Sequence, residues 1–312
     1  MSAAQTTPAL IAVDWGTSSF RACLASPDGA VLDRHDNASG ILTVRDCAFT
    51  PVLNPALAPW VATHGKLPVI MSGMIGSRQG WREAPYIACP VRLADVASAL
   101  LPLPPDPMAQ AMQISIVPGV STRDASGTPD VMRGEETQIF GALELLGLTD
   151  GVFVLPGTHS KWVTVAGGAI TGFATYMTGE VFAALKQHTI LGRMMQDGGP
   201  SSAGFERGLK AASELQGAPG ALLRQIFSVR TLGLFDELAG AEQADYLSGL
   251  LIGAEIRAAS AGQDSIVVIG NEALTARYAT ALRSLGVEPV AAPPDCAAAG
   301  TVAIARAAGL LG

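Results

Sequence analysis

The sequence predicts an α/β protein made of two related domains, and three observations support this prediction. The 312 residues are enough for two domains of ordinary size. Apolar, strand-like runs alternate with helical patterns along the chain. A strand–turn–strand pattern near the start recurs about 140 residues later, which is the signature of an internal repeat. We therefore expect one domain over residues 1–145 and a second over residues 146–312.

The repeat consists of two Gly-Thr bends between strands. The first stretch reads LIAVDWGTSSFRA and the second reads VFVLPGTHSKWV. Gly16-Thr17-Ser18-Ser19 aligns with Gly157-Thr158-His159-Ser160, and the alternative is a chance pair of common hairpins. Such bends expose backbone N–H groups and add hydroxyl donors, and this combination binds polyanions. The two bends therefore predict a nucleotide triphosphate as ligand.

Asp14 stands at the end of the first strand, two residues before Gly16. A carboxylate at that position repels phosphate unless Mg²⁺ lies between them. The sequence therefore predicts that Asp14 orients a metal ion, and the alternative is a simple turn-initiating aspartate.

The composition excludes several classes of partner. The net charge is −7 and no long Lys/Arg run occurs, which argues against nucleic acid. No uncharged apolar stretch reaches about 18 residues, so no membrane span is expected. Four scattered cysteines without a CxxC motif, and an N-terminus without signal-peptide features, predict a cytoplasmic protein. Small molecules are the expected partners, and a homodimer is left open.

Three motifs in order resemble the actin-like ATPase and sugar kinase superfamily. DWGTSSFRA looks like its first phosphate motif, LPGTHSKWV like its second, and IVVIGNEAL like its adenosine motif. The resemblance spans nearly the whole chain. It implies two ribonuclease-H-like domains with mixed sheets flanked by helices, a cleft between the domains, and binding of ATP with Mg²⁺. The nucleotide-binding residues it implies are Gly16, Thr17, Ser18, Gly157, Thr158, His159, Ser160, Lys161, Gly270 and Asn271.

The catalytic base is expected in DVMRGEETQIFGAL, residues 130–143. A sugar kinase needs a carboxylate that orients the acceptor hydroxyl and takes its proton. Glycerol-kinase-like members carry Gly-Asp-Gln-Gln here, and Gly134-Glu135-Glu136-Thr137 is similar, with Glu in place of Asp. Glu135 is the expected base and Asp130 the alternative. Both glutamates could also be ordinary first-turn acids that the helix dipole favours.

The acceptor is expected at SGMIGSRQGWREAPYIACPV, residues 72–91. Its small residues allow close approach of a ligand, and arginines can bind a substrate carboxylate. Arg78 or Arg82 is expected to pair with the carboxylate, and Arg133 and Lys161 are further cationic candidates. Which arginine meets the carboxylate is left open. The expected acceptor residues are Ser72, Gly73, Met74, Ile75, Gly76, Arg78, Trp81 and Arg133.

Within the superfamily, the motifs are most similar to those of the 2-dehydro-3-deoxygalactonokinases. The similarity rests on VDWGTSSFRA, SGMIGSRQGW, MRGEETQIFGAL, LPGTHSKWV and MTGEVFAAL. It implies ATP-dependent phosphorylation of the 6-hydroxyl of 2-dehydro-3-deoxy-D-galactonate, a step of galactonate catabolism. The alternatives are a kinase for another sugar or sugar acid, such as 2-dehydro-3-deoxygluconate or an amino sugar, and an actin-like ATP-binding sensor that phosphorylates no sugar.

Overall fold

The computed structural model describes residues 7–104, 112–215 and 220–311. The chain alternates between strands and helices, as the sequence predicts. The strands are β1 (Leu10–Trp15), β2 (Phe20–Ala25), β3 (Val31–Asn37), β4 (Val69–Ser72), β5 (Tyr86–Ala88), β6 (Val91–Arg92), β7 (Leu101–Pro102), β8 (Ile114–Ile116), β9 (Gly119–Arg123), β10 (Pro129–Met132), β11 (Gly151–Leu155), β12 (Ser160–Ala166), β13 (Ala169–Tyr176), β14 (Ser265–Val268) and β15 (Glu288–Ala291).

The helices differ in length from six to twenty residues. Short 3₁₀ helices also cover Ile41–Thr43, Met74–Gly76 and Ile190–Met194. The α-helices are α1 (Thr50–His64), α2 (Leu93–Ser98), α3 (Glu135–Leu146), α4 (Thr178–His188), α5 (Ser202–Ser213), α6 (Ala221–Ile226), α7 (Ser228–Leu234), α8 (Gly240–Ala259), α9 (Glu272–Arg283) and α10 (Cys296–Ala307).

The first sheet has the strand order β3-β2-β1-β4-β8-β7. Strand β1 pairs antiparallel with β2 and parallel with β4, and β4 pairs parallel with β8. Because parallel strands end at the same edge of a sheet, the end of β1 meets the end of β4. Asp14 therefore lies beside Ser72 in the strand register.

A second six-stranded sheet has the order β15-β14-β11-β12-β13-β6. Strand β11 pairs parallel with β14, and β14 pairs parallel with β15. Read in the opposite direction, its strands β13-β12-β11-β14-β15 follow the same order as β3-β2-β1-β4-β8 of the first sheet. The mixed-sheet α/β fold and the internal repeat are thereby confirmed. A separate three-stranded sheet has the order β10-β9-β5.

The chain divides into two compact units. Unit 1 contains Met1–Gly151, Val163–Ala174 and Ala292–Gly312, and unit 2 contains Val152–Trp162 and Thr175–Ala291. Helix α10 therefore belongs to unit 1, although the sequence places it in the second repeat. The predicted domains, residues 1–145 and 146–312, follow the two halves of the repeat and not these compact units. The domain boundary after residue 145 stays a prediction.

Unit 1 has its core where β1 and β2 pack beside α1. Trp15 makes edge-to-face contacts with Phe20 and Phe49, at ring-centroid distances of 4.8 and 5.4 Å. These aromatic rings are completely or almost completely buried. Such burial removes large apolar areas from water and fixes the strand ends that carry the first bend.

Helices α3 and α10 of unit 1 approach each other through glycines. A methyl group at Gly141 would lie 1.8 Å from the carbonyl oxygen of Cys296. One at Gly300 would lie 1.8 Å from the carbonyl oxygen of Thr137. These contacts leave no room for larger side chains, so they fix the position of α3 against α10.

Unit 2 has a core between the second sheet and helices α5, α8 and α9. Val154 of β11 and Ile266 of β14 pack there against Ile256 of α8 and Leu282 of α9, and all four are buried. None of the helices in the described ranges is long and apolar enough to cross a membrane.

Candidate active site

The first Gly-Thr bend joins β1 to β2 in unit 1. The N–H of Gly16 donates to the carbonyl oxygen of Ser19 at 2.9 Å, which closes the bend. Thr17 and Ser18 are exposed at its tip, whereas Trp15 just before it is completely buried. The bend is therefore anchored on one side and presents hydroxyl groups to a ligand on the other.

Asp14 precedes this bend and is half-buried. Its Oδ2 lies 3.5 Å from Nη1 of Arg21, the residue opposite it on β2. Burial raises the pKa of Asp14, and the Arg21 guanidinium partly opposes that rise. Gly73 adopts a φ of +88°, and a methyl group there would lie 3.1 Å from Oδ1 of Asp14. The close approach of the two strand ends therefore requires glycine at position 73.

Asp14 lines a cavity of about 180 Å³ together with Arg21, Ser72 and Gln138. Among the residues that the structure describes, no group of three or more metal-binding side chains occurs. Asp36 and Asp295 also line this cavity, and Asp295 pairs with Arg34. The carboxylate of Asp14 at the strand end suits Mg²⁺, which keeps several waters and usually binds one or two carboxylates plus substrate phosphates. The site therefore fits a magnesium ion that arrives with phosphate, and it does not fit a metal enclosed by protein ligands.

Two consecutive glutamates begin α3. Oε2 of Glu135 accepts the N–H of Arg133 at 2.9 Å, and Oε2 of Glu136 accepts the N–H of Gly134 at 2.7 Å. Gly134 has a φ of +104°, and a methyl group there would lie 3.1 Å from Cα of Gly73. Close contacts thus connect the start of α3 to Gly73, and Gly73 to Asp14. The structure brings together the predicted metal residue and the segment of the predicted base.

Glu136 is the third carboxylate of the predicted base segment, but the sequence favours Glu135 as the base and Asp130 as its alternative. Its side chain is completely buried, and its Oε1 accepts the hydroxyl of Thr137 at 3.1 Å. Burial, together with the neighbouring charge of Glu135, raises the pKa of Glu136 to about 8. Glu135 is half-buried by contrast. Asp130, the alternative base, lies on β10, where its Oδ1 accepts the N–H of Val131 at 2.7 Å.

The acceptor loop after β4 contains supporting residues as well as accessible ones. Ser72 and Ile75 are buried, and the ring of Trp81 stacks on Phe49 at a centroid distance of 5.9 Å. Their side chains therefore hold the loop against the core of unit 1. Met74 is half-buried, and Gly76 is buried against other groups of the same unit.

The three arginines near this loop differ in burial. Arg78 is 87% exposed and pairs with Glu83 at 3.6 Å, and exposed Arg82 donates to the Pro102 carbonyl oxygen at 3.3 Å. Arg133 is only 8% exposed. Its Nη2 donates to the carbonyl oxygen of Ala84 at 2.8 Å, and its guanidinium lies 4.4 Å from the centroid of the Tyr86 ring.

Arg133 has no carboxylate partner in the described residues, and its Nε and Nη1 atoms lack hydrogen bonds there. A methyl group at Gly76 would lie 3.0 Å from Nη1. A buried cation without an anion is costly, and stacking on an aromatic ring offsets only part of that cost. Arg133 therefore packs against Gly76 of the acceptor loop, and no carboxylate of the described residues neutralises its charge.

The second Gly-Thr bend joins β11 to β12 in unit 2. Thr158 and His159 are exposed, and the carbonyl oxygen of Thr158 accepts the N–H of Glu180 at 3.0 Å. Nε2 of His159 bonds to Oε2 of Glu180. A methyl group at Gly179 would lie 2.3 Å from the Gly157 carbonyl oxygen, so the start of α4 packs directly on the bend.

Ser160 and Lys161 direct their side chains into unit 2. The hydroxyl groups of Ser160 and Tyr278 are 2.8 Å apart, and Nζ of Lys161 donates to Oγ1 of Thr175 at 2.7 Å. Both residues are buried, so their side chains brace the bend. The sequence does not reveal this orientation, because the partners come from distant segments.

A buried carboxyl group lies behind this bend. Glu255 of α8 accepts the indole N–H of Trp162 and the hydroxyl of Tyr278, each at 2.8 Å. Burial raises the pKa of Glu255. One carboxyl thus links β12, α8 and α9, and neither Glu255 nor Tyr278 is distinguished by any sequence motif.

The adenosine motif lies next to the second bend. The N–H of Ile269 donates to the Val154 carbonyl oxygen at 2.9 Å, so β14 and β11 end together. Gly270 is exposed beyond this strand end, and exposed Asn271 begins α9 by accepting the N–H of Leu274 at 3.0 Å. A cavity of about 350 Å³ in unit 2 is lined by Gly157, Gly179, Leu274, Arg277 and Tyr278, among others. Gly157 of the second phosphate motif and Leu274 of the adenosine motif therefore line one cavity, whereas Gly270 and Asn271 are not among its lining residues.

A larger cavity of unit 2, of about 540 Å³, contains none of the predicted site residues. Its basic lining residues are Lys210, Arg257 and Arg283, which occupy the last turns of α5, α8 and α9. Cations at helix C-termini stabilise the helix dipole. Stabilisation of the three helix ends therefore explains why these three cationic side chains lie here, and no ligand is needed to explain them.

The two bends, on sheets with one strand order, define a duplicated α/β fold of the ribonuclease-H-like class. A sequence model of the family described as 2-keto-3-deoxy-galactonokinase matches residues 14–304. The chain belongs to this family, and the resemblance predicted from its motifs is confirmed.

Similar proteins agree with this assignment. The "Probable 2-dehydro-3-deoxygalactonokinase" of Rhizobium meliloti (strain 1021) is 41% identical over 300 residues, which cover 95% of this chain and 96% of that protein. The 2-dehydro-3-deoxygalactonokinase of Escherichia coli (strain K12) is 34% identical over 305 residues, or 95% and 97% of the two chains.

Solved structures extend the comparison to the fold. A crystal structure of a Sinorhizobium meliloti protein, also named as a 2-dehydro-3-deoxygalactonokinase, has a TM-score of 0.84 and 41% identity. It covers 96% of this chain and 98% of that one. An activator of 2-hydroxyisocaproyl-CoA dehydratase from Clostridium difficile has a TM-score of 0.51 at 11% identity, covering 96% and 95% of the two chains. At that identity the likeness concerns the fold alone.

Proposed function

We propose that the protein transfers the γ-phosphoryl group of ATP to the 6-hydroxyl of 2-dehydro-3-deoxy-D-galactonate, as a step of galactonate degradation. One structural observation supports the proposal most directly. Gly73 lies close to the Asp14 carboxylate on one side and to Gly134, at the start of α3, on the other, and this brings the proposed metal-orienting carboxylate near the segment of the candidate base. The reaction needs both groups, and the chain belongs to a family of this description.

The phosphates contact the two Gly-Thr bends in this proposal. Thr17 and Ser18 supply hydroxyl groups in unit 1, and the backbone at Gly157 and Thr158 supplies N–H donors in unit 2, with His159 beside them. Ser160 and Lys161 brace the second bend from inside. When bound, Mg²⁺ neutralises the charge that develops on the phosphate oxygens. Asp14 is the residue that holds it, through its accessible carboxylate.

The nucleoside belongs to the cavity of unit 2 that Gly157 and α9 line. Gly270 and Asn271 form its adenosine turn, because they follow the strand end next to the second bend. Leu274 and Tyr278 supply apolar surface for a base. Apolar walls with few polar groups are typical of small-molecule sites.

Glu135 is the proposed base. Its carboxylate accepts the proton of the 6-hydroxyl while that oxygen bonds to the γ-phosphorus and the bond to the β-phosphate oxygen breaks, which releases ADP. The half-burial of Glu135 leaves it open to a ligand, whereas Glu136 has no exposed surface. The sugar acid binds at the loop after β4 beside half-buried Met74, and exposed Arg78 and nearly buried Arg133 are the candidates for its carboxylate.

Substitution of the two candidate bases tests this assignment. We expect Glu135→Gln to lower kcat by about 10²–10⁴-fold, which is the usual contribution of a general base, with little change in KM for ATP. Asp130→Asn is the matched control and is expected to keep normal turnover. Near-normal turnover of Glu135→Gln, with loss in Asp130→Asn, would transfer the role to Asp130.

The substrate is tested by ADP release with ATP–Mg²⁺ and a panel of acceptors. The panel contains 2-dehydro-3-deoxygalactonate, its gluconate epimer, galactonate and neutral hexoses. A response to the first compound alone supports the proposal. A response to the epimer or to a hexose would keep the kinase and reject the substrate, and ADP release that ignores every sugar would favour a sensor. The cytoplasmic location and the homodimer stay predictions.

A further inference from the structure

We propose that Glu136 is a positioning residue, which holds the segment that presents Glu135 to the acceptor hydroxyl. This inference rests on the proposed function, because it assigns Glu136 a role through the proposed base. It follows from the hydrogen bonds, the burial and the backbone geometry at the start of α3.

Glu136 cannot contact a substrate, because none of its surface is exposed. A buried carboxyl group costs free energy unless hydrogen bonds compensate it, so its presence needs an explanation. It forms no salt bridge with any residue in the described ranges. Its carboxyl oxygens instead accept hydrogen bonds from the N–H of Gly134 and from the hydroxyl of Thr137, both within the same segment.

The two glutamates bind two consecutive backbone donors. Glu135 accepts from Arg133, and Glu136 accepts from Gly134. The first N–H groups of a helix have no hydrogen-bond acceptor within the helix. The N–H groups of the residues just before the helix also need an acceptor when they are buried. The start of α3 has no side-chain cap at Gly134, and Glu136 instead accepts the N–H of this N-cap residue itself, as the acidic side chain of a capping box does.

The hydrogen bond to Gly134 also fixes an unusual backbone conformation. Gly134 has a positive φ and lies against Gly73, which lies against Asp14. On the other side, Thr137 and Gly141 are fixed by the glycine contacts with α10. Glu135 therefore lies between two close contacts, that of Gly134 with Gly73 and that of Thr137 with α10. The hydrogen bond from Gly134 to Glu136 connects the two. Loss of this bond frees the Arg133–Gly134 peptide to rotate and displaces the carboxylate of Glu135.

Glutamine is a close substitute for this role. Burial raises the pKa of Glu136 to about 8, so near neutral pH the carboxyl is mostly protonated and carries no charge. An amide has the same shape and keeps an oxygen that accepts the N–H of Gly134. Alanine keeps neither the shape nor the acceptor oxygen. Comparison of Glu136→Gln with Glu136→Ala therefore tests whether the hydrogen bond to Gly134 is what matters.

The test measures kcat and KM for ATP and for the sugar acid in Glu136→Ala and Glu136→Gln. We expect Glu136→Ala to lower kcat by about 10- to 100-fold, because a misplacement of about 1 Å has effects of that size. KM for ATP should stay within about twofold, and Glu136→Gln should recover most of the lost kcat. Glu144→Ala is the matched control on the same helix, where the exposed side chain pairs with Arg306. It is expected to behave as the unmodified protein.

A double substitution separates positioning from general loss of stability. If Glu136 acts through Glu135, then Glu136→Ala should lower kcat much less in a Glu135→Gln background than in the unmodified protein. Fully additive losses would overturn the inference, as would an unchanged kcat in Glu136→Ala. If Glu136→Ala does not fold, a large kcat loss in folded Glu136→Gln would also overturn it. Active Glu135→Gln would refute the base, whereas inactive Glu135→Gln with fully active Glu136→Ala refutes this inference alone.

Discussion

A carboxylate stands just before the bend that follows β1, whereas none stands at the aligned position before the bend that follows β11. Asp14 precedes the first bend and is accessible, but at the aligned position of the second bend stands Leu155, which is buried. Five residues beyond the aligned glycine, the first bend has exposed Arg21 and the second has buried Trp162. One strand order thus supports two different chemical environments.

Under the proposed function, this difference assigns the two bends different parts of one reaction. In unit 1 the charged side chains of Asp14 and Arg21 line a cavity, and charged groups of this kind can bind a metal ion and phosphate. In unit 2 the same two positions are occupied by apolar Leu155 and by Trp162, whose indole N–H is bonded to buried Glu255, so neither carries a charge. Electrostatic catalysis needs charge where charge develops, whereas binding of a nucleotide needs a fixed shape.

The largest effect should come from removing the carboxylate that distinguishes the first bend. We expect Asp14→Asn to lower kcat by about 10³-fold, because the metal loses its charged ligand and the transferred phosphoryl group loses stabilisation. Activity measured over a range of Mg²⁺ concentrations checks this. Asp36→Asn is the control, since exposed Asp36 lines the same cavity and faces Arg21 on the next strand. Equal losses in the two variants would contradict a specific role of Asp14.

A smaller effect concerns pH, because each unit buries one carboxyl group that forms no salt bridge in the described residues. The pKa of Glu136 in the folded protein, about 8, lies above its usual value of 4.5. Its contribution to stability is therefore complete below pH 4.5 and is lost as the pH rises towards 8. Glu136→Gln should remove this loss and raise the free energy of unfolding at pH 8.5 by about 4 kcal/mol, with little change at pH 4.5.

Urea unfolding at both pH values measures this effect. Glu144→Gln, on the exposed face of the same helix, is the control and should follow the unmodified protein at both pH values. A Glu136→Gln variant that is equally destabilised at both pH values would contradict the protonated buried carboxyl.

The smallest effect tests whether the second bend contacts phosphate through its backbone. Nothing lies within 4 Å of the position that a methyl group at Gly157 would occupy. Gly157→Ala should therefore fold normally, while KM for ATP rises by about tenfold, because the methyl group obstructs the ligand. Gly172→Ala, where the nearest atom lies 3.6 Å away, is a control outside the proposed site. Unchanged KM for ATP in Gly157→Ala would place the phosphates elsewhere.

Local sequence predicts the bends and the order of the motifs well. Gly-Thr turns between apolar strands have a clear signature, and Gly134-Glu135-Glu136 stands directly before a helical pattern. The family follows from these motifs because they occur in order over the chain. What depends on one short segment could therefore be read from the sequence.

Features that depend on distant partners could not be read in this way. The burial of Arg133 depends on Tyr86 and Ala84, and the inward direction of Ser160 depends on Tyr278. A residue type alone does not tell whether its side chain contacts a ligand or braces the chain behind it. Helix α10 gives a further example, since its small residues pack closely but do not specify a partner.

The packing of α3 on α10 has a consequence for the order of folding. The helix that begins with Glu135 needs a partner whose first residue is synthesised about 150 residues after α3 ends. Contacts between such distant segments form slowly, because a long loop must close first. Most of unit 2 is synthesised within that interval and can acquire its own core while unit 1 is incomplete. The proposed catalytic carboxylate would then be among the last groups to reach its final position in the newly made chain.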